Sequence, residues 1–245
     1  MKLNQRCFCC TKKHIFCQFR LYLFCHKFAY IVSTDTIYIL ITIMALPKPR
    51  NIKVERYVGG LSQFRKINNP IKLSANESAL GPSPRAIQAF EKDKDKILKY
   101  PESDSNSLRE LISKKFNIDP KRIICGSGSD QIFDLTCQLF LQPEDEVIVT
   151  EFGFIMHRIY ASIHGAKVVL AKEKNFKASV EEILKKVTDK TKIVFIANPN
   201  NPTGTYLSKN EILNLRQKLR SNILLVIDDA YFEFLNKDDF VSGLD

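Results

Sequence analysis

Short aliphatic runs that alternate with segments of helical spacing constrain this chain more than any other feature. From residue 122 onward the predicted order is strand 122–125, helix 131–141, strand 146–150, helix 154–164, strand 167–171, helix 180–187, strand 193–197, helix 209–221 and strand 223–227. Strands rich in Val, Ile and Leu that alternate with helices imply crossover connections. The fold class is therefore α/β, with a largely parallel sheet and helices on both faces. Two helices are predicted ahead of this region. Pro84 opens the first, over 84–98, with Ile87, Phe90 and Ile97 roughly on one face. Leu108, Leu111, Ile112 and Phe116 recur at helical spacing and place the second over 105–116. Residues 45–70, rich in Pro and Lys and broken by Gly59-Gly60, read as an extended arm. There is no internal repeat or low-complexity tract.

Composition divides the chain at residues 1–43, 44–98 and 99–245, within a length that suits one large domain or two small ones. The net charge is +10, but half of it lies in residues 1–43, where six Lys or Arg face a single acid, Asp35. Elsewhere the signs are interspersed as on a solvated surface, and no nucleic-acid-binding signature accompanies them. Five of the seven cysteines also crowd residues 1–43, leaving only Cys125 and Cys137 beyond. The body thus reads as a reduced, cytoplasmic protein without a disulfide framework.

Four readings of residues 1–43 compete. Cys7, Cys10, His14 and Cys17 could bind zinc, although their spacing fits no paired-ligand pattern. Residues 28–46 could anchor the chain in a membrane, against which Asp35 and four Ser or Thr count. A folded extension is a third reading. The preferred reading is an upstream stretch translated from a misplaced start, since ordinary composition begins at Met44.

Three motifs carry chemistry. Gly126-Ser127-Gly128-Ser129-Asp130 stands where a predicted strand meets a predicted helix; free backbone N–H groups and the helix dipole there suit a phosphate. A flexible turn with Asp130 as N-cap is the plainer alternative. Asn200-Asn201-Pro202-Thr203-Gly204 follows a strand, where α/β folds place ligands, although its residue types also make an ordinary turn. Asp228 ends an aliphatic run and is costly to bury unless a cation pairs with it; capping of the next segment by Asp228 or Asp229 is the other reading.

Together with Leu73-Ser74-Ala75-Asn76-Glu77, Lys99-Tyr100-Pro101-Glu102, Asn198-Pro199 and Ala230-Tyr231-Phe232-Glu233-Phe234, these motifs resemble the fold-type I pyridoxal-phosphate (PLP) aminotransferases, in particular the histidinol-phosphate aminotransferase family. The resemblance runs from about Met44 to Phe234. It implies the large PLP-binding domain of that fold, ahead of a small C-terminal domain. It also implies that the backbone amides of Ser129 and Asp130 hold the cofactor phosphate, and that Phe154 stacks on the ring. Asn201 and Tyr231 would reach the ring oxygen, and Asp228 the ring nitrogen. Tyr100 would reach a neighbouring subunit's cofactor, implying a homodimer, and Tyr57 and Asn76 would lie on the substrate side. The implied reaction exchanges the amino group of L-histidinol phosphate, a small phosphorylated amino substrate, with 2-oxoglutarate in histidine synthesis.

Departures from the family pattern are Ser127, Gln131, Phe154 and His157, the last read as structural rather than titrating. No Ser-x-x-Lys segment follows Asp228 to supply the family's Schiff-base lysine, and Lys237 is the last lysine. The expectation is therefore an N-terminal fragment, inactive by itself. A threonine-phosphate decarboxylase-like enzyme and a non-catalytic, membrane-tethered binding or dimerisation module are the alternatives.

Overall fold

The computed structural model describes residues 21–25, 28–32, 52–59, 71, 73–78 and 80–244. The chain divides into two units, Met1–Asn51 and Ile52–Asp245. In the first, strands β1 (Leu21–Cys25) and β2 (Phe28–Val32) form an antiparallel hairpin, registered from Leu21↔Val32 to Cys25↔Phe28. The start of the 28–46 apolar stretch is thus a strand. The zinc reading and the Met44 start lie outside the described residues. Among the described residues, no helix is long and apolar enough to cross a membrane, and no cluster of His, Cys, Asp or Glu suits a metal ion.

The second unit begins with helices α1 (Pro84–Asp93), extended by a 3₁₀ segment over Lys94–Leu98, and α2 (Asn106–Phe116). Both match the predicted spans, yet Phe90, Ile97 and Leu111 on their apolar faces remain exposed. The predicted strand 122–125 does not form. Pro120–Arg122 is a 3₁₀ turn, in which Asp119 Oδ1 accepts from Lys121 N at 2.9 Å. Ile124 is 67% exposed, and the extended backbone that follows the turn has no ladder partner among the described residues. Aliphatic content alone makes no strand without a neighbour to pair with.

The remaining elements alternate as expected: α3 (Gly128–Phe140), β3 (Glu146–Thr150), α4 (Ile155–Ile163), β4 (Lys167–Ala171), α5 (Val180–Lys185), β7 (Thr191–Ala197), α6 (Lys209–Lys218) and β8 (Leu224–Asp228). Between β4 and α5 lies an unpredicted hairpin, β5 (Glu173–Lys174) with β6 (Lys177–Ala178). Its turn residues Asn175 and Phe176 both have positive φ, 53° and 61°, a two-residue turn that lacks the usual glycine signal. Ser208 and Glu211 form a reciprocal capping box at the start of α6, and Ser179 caps α5.

Strands β4-β3-β7-β8 make one parallel sheet in that order. Successive side chains alternate between its faces. Val147 and Val149 of β3 and Ile193 and Phe195 of β7 pack with Phe133 and Cys137 of α3 and Ala161 of α4. Ile148, Val194 and Ile196 face the other way, onto Ile183 of α5 and Leu215 of α6. Both faces are covered, which is why these strands read as continuous aliphatic runs. Burial pushes the Cys137 thiol up to about 12, with Asp134 adding to the shift, so it acts as an inert core residue.

At the amino end of β3, Glu146 is buried; its carboxylate accepts from Thr188 Oγ1 and from Lys167 Nζ at 3.0 Å. These two contacts hold its pKa below the ordinary 4.5. A depressed folded value means stability that is present above the unfolded pKa and lost as pH falls through the folded one. Glu146→Gln is thus expected to lower the melting temperature at neutral pH and to flatten its decline in acid, read by thermal melts from about pH 7 to about pH 3. Phe195→Ala, which empties the centre of one face, is expected to cost about 3–5 kcal/mol in denaturant unfolding.

Candidate active site

Three loops leave the carboxyl ends of β3, β7 and β8 at one edge of the sheet, where open α/β sheets bind ligands. The loop after β7 is fixed by Asn198, whose side chain is fully buried. Its Nδ2 donates to Leu207 O at 3.1 Å and its Oδ1 accepts from Leu207 N at 2.7 Å, so one amide satisfies both backbone groups of a buried residue. Asn200 Nδ2 donates to Phe152 O at 3.1 Å and ties this loop to the one after β3. The Asn198-Pro199 and Asn201-Pro202 peptides are cis. After β3 the chain turns tightly at Gly153, where a Cβ would sit 2.5 Å from Thr150 Oγ1, and delivers Phe154 to the site.

Helix α3 points its first turn at the same place. Gly128 has φ +73°, a conformation that disfavours any side chain, and it opens the helix. Ser127 is the N-cap; its N–H donates to Gln131 Oε1 at 2.6 Å. Asp130 lies inside the first turn and is not the N-cap, which corrects the turn reading of this motif. The N–H groups of a helix's first turn have no intrahelical partner, and Ser129 and Asp130 both line the cavity.

Strand parity decides which of two consecutive acids enters the site. Leu224 and Val226 pack on the α3/α4 face, and Leu225 and Ile227 on the opposite face. Asp228 continues the first series and lines the cavity, 9% exposed. Asp229 falls on the other side, where its Oδ2 accepts from Ser242 Oγ at 2.7 Å and Gly243 N at 2.6 Å. Neither acid's side chain caps the 3₁₀ segment Phe232–Phe234 that follows; the local capping contact is the one that Asp228 accepts from Ala230 N. Asp228 Oδ1 accepts from Ala230 N at 3.2 Å, and His157 Nε2 donates to its Oδ2 at 3.2 Å.

His157 is 1% exposed, stacks on Phe195 at 4.9 Å and meets Phe133 edge-on at 4.6 Å. It is both a packing residue and a direct partner of the site carboxylate, a role that sequence reading missed. The available signal was its position one helical turn beyond Phe154.

Ser129, Asp130, Phe154, Asn201, Asp228 and Tyr231 together line a cavity of 220 Å³. A second, open space of 720 Å³ shares Pro199, Asn201 and Tyr231 as a common wall and is bordered further out by Asn76, Leu80 and Phe234. Asn76 Nδ2 donates to Tyr231 Oη at 2.9 Å. No described Lys or Arg lines either space. The structure does not bring Tyr57 or Tyr100 to these cavities; they are 57% and 100% exposed. A separate cleft of 610 Å³ along β8 shares no residue with the 220 Å³ cavity, and its Arg216 is engaged by the carbonyls of Leu219, Arg220 and Ile223.

Residues 68–244 match the sequence family "Aminotransferase class I and II". The chain belongs to this aminotransferase family. It is 59% identical over 202 residues to the histidinol-phosphate aminotransferase of Pelagibacter ubique, covering 82% of this chain and 56% of the relative. The enzyme of the same name from Paramagnetospirillum magneticum is 43% identical over 199 residues, or 81% and 55% of the two chains. Histidinol-phosphate aminotransferase from Sinorhizobium meliloti, solved in complex with pyridoxal-5'-phosphate, superposes with a TM-score of 0.65 at 25% identity, over 68% of this chain and 45% of that one. Aspartate aminotransferase from Thermotoga maritima gives 0.61 at 26% identity, over 71% and 50%. The chain thus spans about half the length of the curated relatives it matches.

Asn198→Ala, which strips Leu207 N–H and C=O of their partners, is expected to destabilise the aminotransferase chain by about 2–4 kcal/mol in denaturant titration.

Proposed function

We propose that this chain supplies the cofactor cradle of a PLP-dependent aminotransferase that exchanges the amino group of L-histidinol phosphate with 2-oxoglutarate. The observation that carries this is the buried Asp228, held by His157 and facing the first turn of α3 across a 220 Å³ cavity walled by Phe154. The residues fit the cofactor. Its phosphate suits the N–H groups of Ser129 and Asp130 at a helix N-terminus, in a space without a described cation. A protonated ring nitrogen supplies the positive partner that a buried carboxylate requires. Phe154 gives an apolar face for the ring, and Asn201 and Tyr231 give neutral hydrogen-bonding groups for its oxygen. When bound, PLP supplies an electron sink for charge that develops at the reacting carbon.

The names of the Pelagibacter and Paramagnetospirillum relatives favour histidinol phosphate over a decarboxylation substrate. Asn76, at the mouth of the larger space, is the structural support for a substrate role. Tyr57 has the same proposed role by resemblance, and Tyr100 is proposed to act at a neighbouring subunit's cofactor in a homodimer. The free thiols Cys125 and Cys137 accord with a cytoplasmic setting.

Titration of the 245-residue chain with PLP, followed by fluorescence, is expected to show saturable binding, weakened about ten- to hundredfold by Asp228→Asn. Equal binding by the two proteins would overturn the cofactor assignment. No described lysine lines the cavity, so the chain by itself is expected to form no glutamate from 2-oxoglutarate. Methylamine supplied in solution as a proton carrier is expected to raise glutamate formation with L-histidinol phosphate more than with L-aspartate. The reverse preference would rule out the proposed substrate.

A further inference from the structure

The Tyr231 hydroxyl is gripped from the N-terminal side of the chain. Asn76 Nδ2 donates to it at 2.9 Å, across 155 positions of sequence. Both residues line the 720 Å³ space, and Tyr231 also lines the 220 Å³ cavity, where Asn201 stands on the shared wall. A phenol has one proton to give and lone pairs to receive, whereas an amide NH₂ only donates. With a lone pair committed to Asn76, the Tyr231 proton is left for another acceptor. Tyr231 also follows directly on the segment that carries Asp228, whose Oδ1 accepts from Ala230 N. The loop is therefore pinned at its near end by the buried carboxylate and at its far end by Asn76.

We infer that Asn76 is a positioning residue for the cofactor: by donating to Tyr231 Oη it turns the Tyr231 proton into the cavity. That proton and the Asn201 amide then converge on the ring oxygen of bound PLP. The inference rests on the PLP reading above and concerns a residue that need not touch the cofactor. It distinguishes donation by Asn76 from mere contact. An acceptor at position 76 would draw the Tyr231 proton outward and present oxygen lone pairs to the ring oxygen.

The test is PLP affinity, by fluorescence titration of the 245-residue chain, for wild type, Asn76→Ala, Asn76→Asp, Tyr231→Phe and the Asn76→Ala/Tyr231→Phe double variant. Melting curves confirm that each is folded; position 76 is exposed, so the folded state is expected to tolerate both changes. Asn76→Ala is expected to weaken binding about three- to tenfold, and Asn76→Asp further still. In the Tyr231→Phe background, Asn76→Ala is expected to add nothing, because the group it acts through is gone. With 3-deoxypyridoxal phosphate, which lacks the ring hydroxyl, wild type and Asn76→Ala are expected to bind alike.

Wild-type affinity in Asn76→Asp would mean that Asn76 accepts rather than donates, and would overturn the proposal. So would additive losses in the double variant, or an undiminished Asn76→Ala effect with the deoxy analogue. If wild type bound no PLP, the cofactor reading itself would fall. If Tyr231→Phe weakened binding and neither Asn76 variant did, only the positioning role would fall.

Discussion

A carboxylate at the buried end of an aliphatic strand is costly unless donors surround it. Much of the site meets that condition for Asp228. One oxygen takes the backbone N–H of Ala230 and the other the ring of His157. His157 is in turn clamped between Phe195 and Phe133, core residues of β7 and α3. Phe154, the apolar wall of the cavity, also meets both Phe133 and His157 edge-on. The hydrophobic core and the polar centre are therefore one packing unit: the aromatic cluster that stabilises this face also sets the direction of the acid.

The other half of the site depends on backbone rather than charge. Asn198 satisfies both backbone groups of Leu207, and Asn200 reaches Phe152 O, so the loops after β7 and β3 are tied by amides. Amides suit this place because they donate and accept without introducing a charge to be solvated. With Lys and Arg absent from the described cavity walls, an anion there depends on the first turn of α3. The negative side chain of Asp228 is then left to select a positive partner.

The fold was legible where the sequence is redundant. Aliphatic runs gave β3, β4, β7 and β8 to within two residues: β3 and β7 are buried along almost their whole length, and the partly buried β4 and β8 flank them. Residues 122–125 looked the same locally but have no ladder partner among the described residues, and pairing is a property of the sheet rather than the segment. The β5–β6 hairpin was hidden because its turn uses Asn175 and Phe176 where a glycine is expected. In the site, the family resemblance picked out Ser129, Asp130 and Asn201 within motifs at predicted strand ends, and Asp228 stood out as the end of an aliphatic run. His157 did not, since one histidine on an apolar helix carries no mark of the strand it faces. The Asn76–Tyr231 bond was invisible for the same reason, and the side-chain placements of Tyr57 and Tyr100 were not readable from spacing.

The alternation along β8 also makes the chemistry a matter of register. Leu224, Val226 and Asp228 share one side of the strand, and Leu225 and Ile227 the other, so a slip by one residue exchanges the two sets. Slipped one way, the position beside His157 would receive Ile227 and lose its charge. Slipped the other way it would receive Asp229, an acid of the same length, at the cost of the contacts that Asp229 makes with Ser242 and Gly243. The doubled aspartate thus partly buffers the reading frame of the strand: one of the two possible errors still delivers a carboxylate to the imidazole.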